Sequence, residues 1–154
     1  PAVVVARARL LAEHELLSVI LFDSIQSSAA LRESGEPIQP ENFLDRNAAQ
    51  IANCIIPKLL AGTSFTIQET LSELSPEASN LASTLYFEGE RICNEAGSVS
   101  IAIQRTIQSF QAEIKKKAIT DNVRELKNYE DPEQRAMEAQ KTLEAIRNNQ
   151  KRVI

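Results

Sequence analysis

The sequence predicts an all-α protein: a compact multi-helix bundle followed by a long helix and a C-terminal helical hairpin. Three observations predict it. Apolar residues recur at three- and four-residue spacing along most of the chain. Helix-start signals, Thr66-Ile-Gln-Glu69, Ser75-Pro76-Glu77 and Asp131-Pro132-Glu133, punctuate it. Only 4 Gly and 6 Pro among 154 residues leave little room for the turns of an all-β fold.

The first helix is expected over residues 3–22. Leu10, His14, Leu17 and Leu21 share one face, and Leu11, Val19 and Phe22 widen the apolar arc until it nearly surrounds the cylinder. Such a helix belongs in the middle of a bundle. A short helix is expected over 27–33. The stretch SGEPIQP (34–40) reads as a loop, because Gly35, Pro37 and Pro40 each oppose helix continuation. A third helix is expected from about 41 to 61, stopped by Gly62, with Pro57 bending it.

Thr66 and Glu69 have capping-box spacing and open a short helix ending near Leu74. Ser75 before Pro76 is an N-cap with Pro at the first helical position. The helix it opens carries Leu81, Leu85 and Ile92 and stops near Gly97. Gly89 inside it costs roughly 1 kcal/mol relative to Ala and is expected to mark a bend. Ser98 starts the long helix, with Val99, Ile103, Ile107, Phe110 and Ile114 on one stripe, running to about Tyr129. Asp131-Pro132 opens the last helix, to about Asn149.

Composition changes near residue 110. Residues 1–110 hold 7 basic and 13 acidic side chains, and residues 111–154 hold 10 and 8. Apolar residues number 51 in the first stretch and 15 in the second. The expected organisation is an acidic, well-filled helical body over 1–110 with a mildly basic helical hairpin over 111–154. The hairpin has too few large apolar residues to bury much by itself, so it lies on the body or waits for a partner.

The overall charge of −4 argues against a dedicated nucleic-acid binder. Charged residues within the apolar start (Arg7, Arg9, Glu13, His14, Glu15) argue against a signal peptide or membrane span. Two well-separated cysteines do not make a secreted disulfide scaffold, so a cytoplasmic protein with reduced thiols is expected. The chain starts at Pro1 without an initiator Met, which suggests a piece of something longer.

The search for chemistry returns little. A single His excludes most zinc sites and any machinery that needs two imidazoles. His14 reads as a partly buried neutral side chain. Cys54 and Cys93 have no Cys-x-x-Cys spacing and no cationic neighbours, so core packing is expected of both. No Glu stands three residues before His14, so the di-iron bundle pattern fails. Glu13 with Glu15, Glu69 with Glu73 and Glu88 with Glu90 read as solvated surface pairs. AGSVS (96–100) is not a phosphate loop. Lys115-Lys116-Lys117 fans over roughly 200° of a helix and makes no single patch.

Recognition by shape is what remains. Met137, Leu143 and Ile146 recur near one stripe of the last helix, and Val153 and Ile154 end the chain as apolar residues with nothing to cover them. They either pack back on the preceding helix or form a helix-in-groove partner surface.

Four stretches carry a resemblance. They are ARLLAEHELL (8–17), a leucine-rich first helix; LSELSPEASNLAS (71–83), a short helix, a proline turn and a further helix; SIAIQRTIQSFQAEIKKKAI (100–119), the long helix; and YEDPEQRAMEAQKTLEAIRNNQK (129–151), an amphipathic charged last helix. In order and kind these elements resemble the C-terminal helicase-binding domain of bacterial replicative DNA primase, the DnaG family. Arg7 and Arg9 stand where that family commonly has an acidic residue, and the 34–40 loop is richer in Pro than expected.

The resemblance implies a non-catalytic interaction domain without cofactor or metal, taken from a parent DNA primase, a DNA-directed RNA polymerase. The zinc-binding and polymerising domains of such a parent lie upstream. The implied partner is the hexameric replicative DNA helicase of DnaB type. The hairpin would dock on its N-terminal domains through Met137, Leu143, Ile146, Arg147, Val153 and Ile154, rimmed by Arg135, Lys141, Lys151 and Arg152. A standard interface buries about 800 Å² per partner. A two-turn stripe falls below that, so affinity per copy would be modest and several copies on one hexamer would gain by multivalency. The body would modulate the helicase by mimicking a collar subunit. Direct contact with nucleic acid is not implied.

Two other readings stay open: an N-terminal collar or oligomerisation domain of a replicative helicase, which predicts self-association, and a small helical enzyme or ligand carrier, which predicts a deep polar pocket.

Overall fold

The caps set the helix boundaries. In the computed structural model, which describes residues 5–126 and 132–151, the order is α1 (Arg7–Phe22), α2 (Ser24–Glu33), a one-turn 3-10 helix (Pro40–Asn42), α3 (Arg46–Leu60), α4 (Ile67–Glu73), α5 (Pro76–Ala96), α6 (Val99–Leu126) and α7 (Pro132–Lys151). The fold is all-helical, and no strand occurs among the described residues. Packing divides the chain into two units, Pro1–Phe110 and Gln111–Ile154.

Several signals act as expected. The Thr66 side chain accepts from Glu69 N at 3.1 Å. Ser75 accepts from Ala78 N, with Pro76 in the first turn of α5. Gly97 ends α5 at φ 99°, its N–H donating to the carbonyls of Cys93 and Asn94. Only glycine adopts that left-handed conformation without strain. The Ser98 hydroxyl accepts from Ile101 N at 3.1 Å and opens α6.

Three starts differ from the expectation. Val5 and Ala6 lie outside α1, which opens at Arg7 with no side-chain cap; the β-branched run before it disfavours helix. α2 begins at Ser24, because Asp23 caps it by accepting from Gln26 N at 3.0 Å. α3 begins at Arg46 rather than near 41, because Asp45 accepts from Ala48 N at 3.1 Å. Before it Phe43 is extended.

The cause of that late start lies on α1. Glu13 is fully buried. Its carboxylate accepts from Leu44 N at 3.1 and 3.2 Å, from Asp45 N at 3.1 Å and from Arg9 Nε at 3.1 Å. With those amides taken by a side chain, Leu44 and Asp45 do not need a helix to satisfy them. Arg9, also buried, donates a further bond to the Asn42 carbonyl, and its guanidinium lies 5.2 Å from the centroid of the Phe110 ring. Phe110 stacks on Phe43 with centroids 4.7 Å apart. Glu13 is therefore no solvated partner of Glu15; it is the acceptor around which the 42–45 turn is built. His14 is half-buried, its Nε2 3.6 Å from Asp45 Oδ2.

The core of the first unit centres on the second half of α1, where Leu16, Leu17, Val19 and Ile20 are fully buried. Each such side chain contributes roughly 1.5–3 kcal/mol. The apolar arc does close around the helix there, but not at its start, where Leu11 is 57% exposed. α1 packs most extensively against α5. The buried stripe of α5 is Ala78, Ala82, Leu85, Gly89 and Cys93, mostly small residues that let the two helices approach. A methyl at Gly89 would lie 2.2 Å from the Ser18 carbonyl oxygen and 2.6 Å from Phe22 Cβ. Gly89 is thus explained by close contact with α1. Ile51, Ile55, Ile56 and Leu59 of α3 and Ala102, Ile103, Ile107 and Phe110 of α6 complete the core.

Candidate partner-binding surface

α7 is made of good helix formers, and Pro132 at its start pre-sets the backbone angle. Its cap position, Asp131, lies outside the described residues. Along the described side chains the packed face joins Thr142 and two alanines to one larger apolar residue, Ile146. Thr142 is 5% exposed, its hydroxyl donating to the Glu138 carbonyl at 3.1 Å. Ala139, Ala145 and Ile146 are half-buried.

Outside that face α7 carries exposed apolar bulk. Met137 is 62% and Leu143 59% exposed. Arg147 is exposed as well. Of the expected docking residues, the structure therefore places Met137, Leu143 and Arg147 outward and Ile146 partly inward. Val153, Ile154 and Arg152 lie outside the described residues; Arg135 and Lys151 stand on α7. Lys141 Nζ sits 3.3 Å from Glu138 Oε1, an exposed pair of little energetic consequence.

The first unit contains the cluster with the most chemistry. Cys54 Sγ donates to Glu73 Oε2 at 3.0 Å, and Lys58 Nζ donates to both Glu73 oxygens at 3.0 and 3.2 Å. Cys54 is half-buried rather than packed in the core, and it has a cationic neighbour one helical turn away. Burial first, then Glu73, pushes its thiol up from 9.0 to about 11, against the pull of Lys58. The hydrogen bond from Cys54 first, then Lys58, lowers Glu73 below its ordinary value. A thiol so held is a poor nucleophile near neutral pH. The cluster is a clasp between α3 and α4, and Glu73 is engaged in it rather than paired with Glu69. Cys93 is buried as expected.

One exposed feature goes beyond the sequence reading. Phe87 on α5 is 72% exposed. Its ring meets Tyr86 edge-on at 5.7 Å, and Tyr86 in turn lies 6.4 Å from Phe22. The signal was available: at about 100° per residue, position 87 falls roughly 160° from Gly89, opposite the buried stripe.

Among the described residues no three His, Cys, Asp or Glu side chains gather where a metal ion could be held, and no helix is long and apolar enough to cross a membrane. No family model, curated protein sequence or solved structure matches this chain.

Proposed function

We propose that this chain is the non-catalytic interaction domain of a cytoplasmic bacterial DNA primase, and that it recruits the hexameric replicative helicase so that primers are made at the fork. The observation that carries the reading is the exposure of Met137 and Leu143 on α7, at 62% and 59%. Large side chains left in water on an otherwise charged helix are what a helix-in-groove contact requires. The element order supports it: a short capped helix, a Ser-Pro turn, a further helix, a long helix and a final amphipathic one. The excess of acidic over basic residues in 1–110 favours a protein partner over nucleic acid.

The test is gel filtration and titration of this chain with the replicative helicase of its own host. Leu143→Asp should weaken the complex by about 2 kcal/mol, as for a moderate interface anchor, and Met137→Asp by a similar amount. Removal of residues 131–154 should abolish binding while the helical signal of the body persists in circular dichroism. Full binding after that deletion would end this reading. Self-association of the chain with no affinity for the helicase would favour the collar-domain reading instead.

A further inference from the structure

Single exposed apolar side chains are ordinary. Phe87 differs in its setting. It ends a line of three touching rings, Phe22, Tyr86 and Phe87, that runs from the packed side of α5 to its outer surface. Two carboxylates follow on the next turn of the helix. Glu88 and Glu90 stand one and three positions after Phe87, and Glu90 is exposed. At the packed end of the line, Asp23, next to Phe22, is near enough to Cys93 of α5 to raise its thiol, after burial. The local base is Arg91, one turn beyond Phe87: Nη2 lies 2.7 Å from Glu88 Oε2 and Nη1 lies 2.9 Å from Glu95 Oε2, so one positive charge is shared by two carboxylates and Glu90 stands outside the pair. α5 as a whole holds four glutamates against that one arginine.

This combination selects a ligand by its charge. Bare rings attract three kinds of group: nucleobases, apolar side chains and cations. Acidic neighbours repel the phosphates that accompany bases. They favour Lys or Arg side chains, which lie over ring faces and pair with carboxylates while their stems cover apolar surface. We propose that the outer face of α5, centred on Phe87 with Tyr86, Glu88 and Glu90, is a second docking surface that takes a lysine- or arginine-rich amphipathic helix of a partner protein. This surface belongs to residues 1–110, does not involve α7 and stands whether or not the helicase reading holds.

The probe is a synthetic 18-residue amphipathic peptide of Leu and Lys, titrated into the full chain by calorimetry, with a Leu and Glu peptide of the same pattern beside it. The Lys peptide should bind and the Glu peptide should not. Phe87→Ser should weaken the Lys peptide at least tenfold; its exposure makes loss of fold an unexpected outcome, and circular dichroism checks it. The double variant Glu88→Gln/Glu90→Gln should weaken it severalfold and flatten its salt dependence. Unchanged binding by Phe87→Ser would reduce the effect to unspecific charge attraction and overturn the proposal. So would equal binding of the Glu peptide, or binding of a thymidine oligonucleotide that disappears in Phe87→Ser.

Discussion

The two units of this protein use their side chains in opposite ways. In residues 1–110 even charged groups are recruited inward: Arg9 and Glu13 are buried together, and Glu13 satisfies two amides of a distant turn. In residues 111–154 the described ion pairs are local and exposed, Lys117 with Asp121 and Lys141 with Glu138, while Met137 and Leu143 face water. The first unit encloses a core of fully buried side chains, although Ile25 and Phe87 on its surface are 76% and 72% exposed. In the second, Met137 and Leu143 are 62% and 59% exposed beside a buried Thr142.

The sharpest way to break that contrast is at Glu13. Glu13→Ala removes the acceptor of Arg9 and of two backbone amides and leaves a buried charge. It should destabilise the first unit by about 3–5 kcal/mol, measured by urea unfolding followed in circular dichroism. A loss under about 1 kcal/mol would mean that the network is as dispensable as a surface pair.

Paired truncations come next. Ile20→Ala in the fully buried part of α1 should cost about 2–5 kcal/mol. Leu143→Ala, at 59% exposure, should change stability by less than about 0.5 kcal/mol. Equal costs would erase the distinction between the units.

The last comparison concerns Cys54, where the effect is confined to alkaline pH and to thiol reactivity. Its thiol binds its proton more tightly in the folded chain than in the unfolded one. The resulting stabilisation is complete below pH 9.0 and is lost as pH climbs to about 11. At pH 8 the thiolate fraction, and with it the rate of reaction with a disulfide reagent, should be about a hundredfold below that of an ordinary thiol. Glu73→Gln should raise that rate. An ordinary rate in the unaltered chain would show that the α3–α4 clasp opens freely.

Much of the architecture could be read from local signals. Ser75-Pro76 and Gly97 bracket α5 because the caps act within a few residues of themselves. The stripe of α6 was legible for the same reason: periodicity is local. Glu13 was not, since its partners include amides 31 and 32 positions away and nothing in sequence separates a buried carboxylate from a solvated one. The close contact at Gly89 was not legible either, since the Ser18 carbonyl belongs to another helix. Asp23 and Asp45 were legible in principle; each is an N-cap residue that periodicity alone pushed aside. On α7, periodicity put Met137, Leu143 and Ile146 together, whereas burial sets Ile146 apart from the other two. Periodicity says which residues are apolar, and only packing says which side of a helix is taken.

The pairing of α1 with α5 has a consequence for biosynthesis. Ser18 and Gly89 meet across roughly seventy residues of chain, and ribosomes add about 5–20 residues each second. For several seconds, then, the greasiest helix of the molecule has emerged while its main cover is still being made. Nascent chains of this protein should be clients of ribosome-associated chaperones in that window, and their yield should depend on translation speed between those two codons.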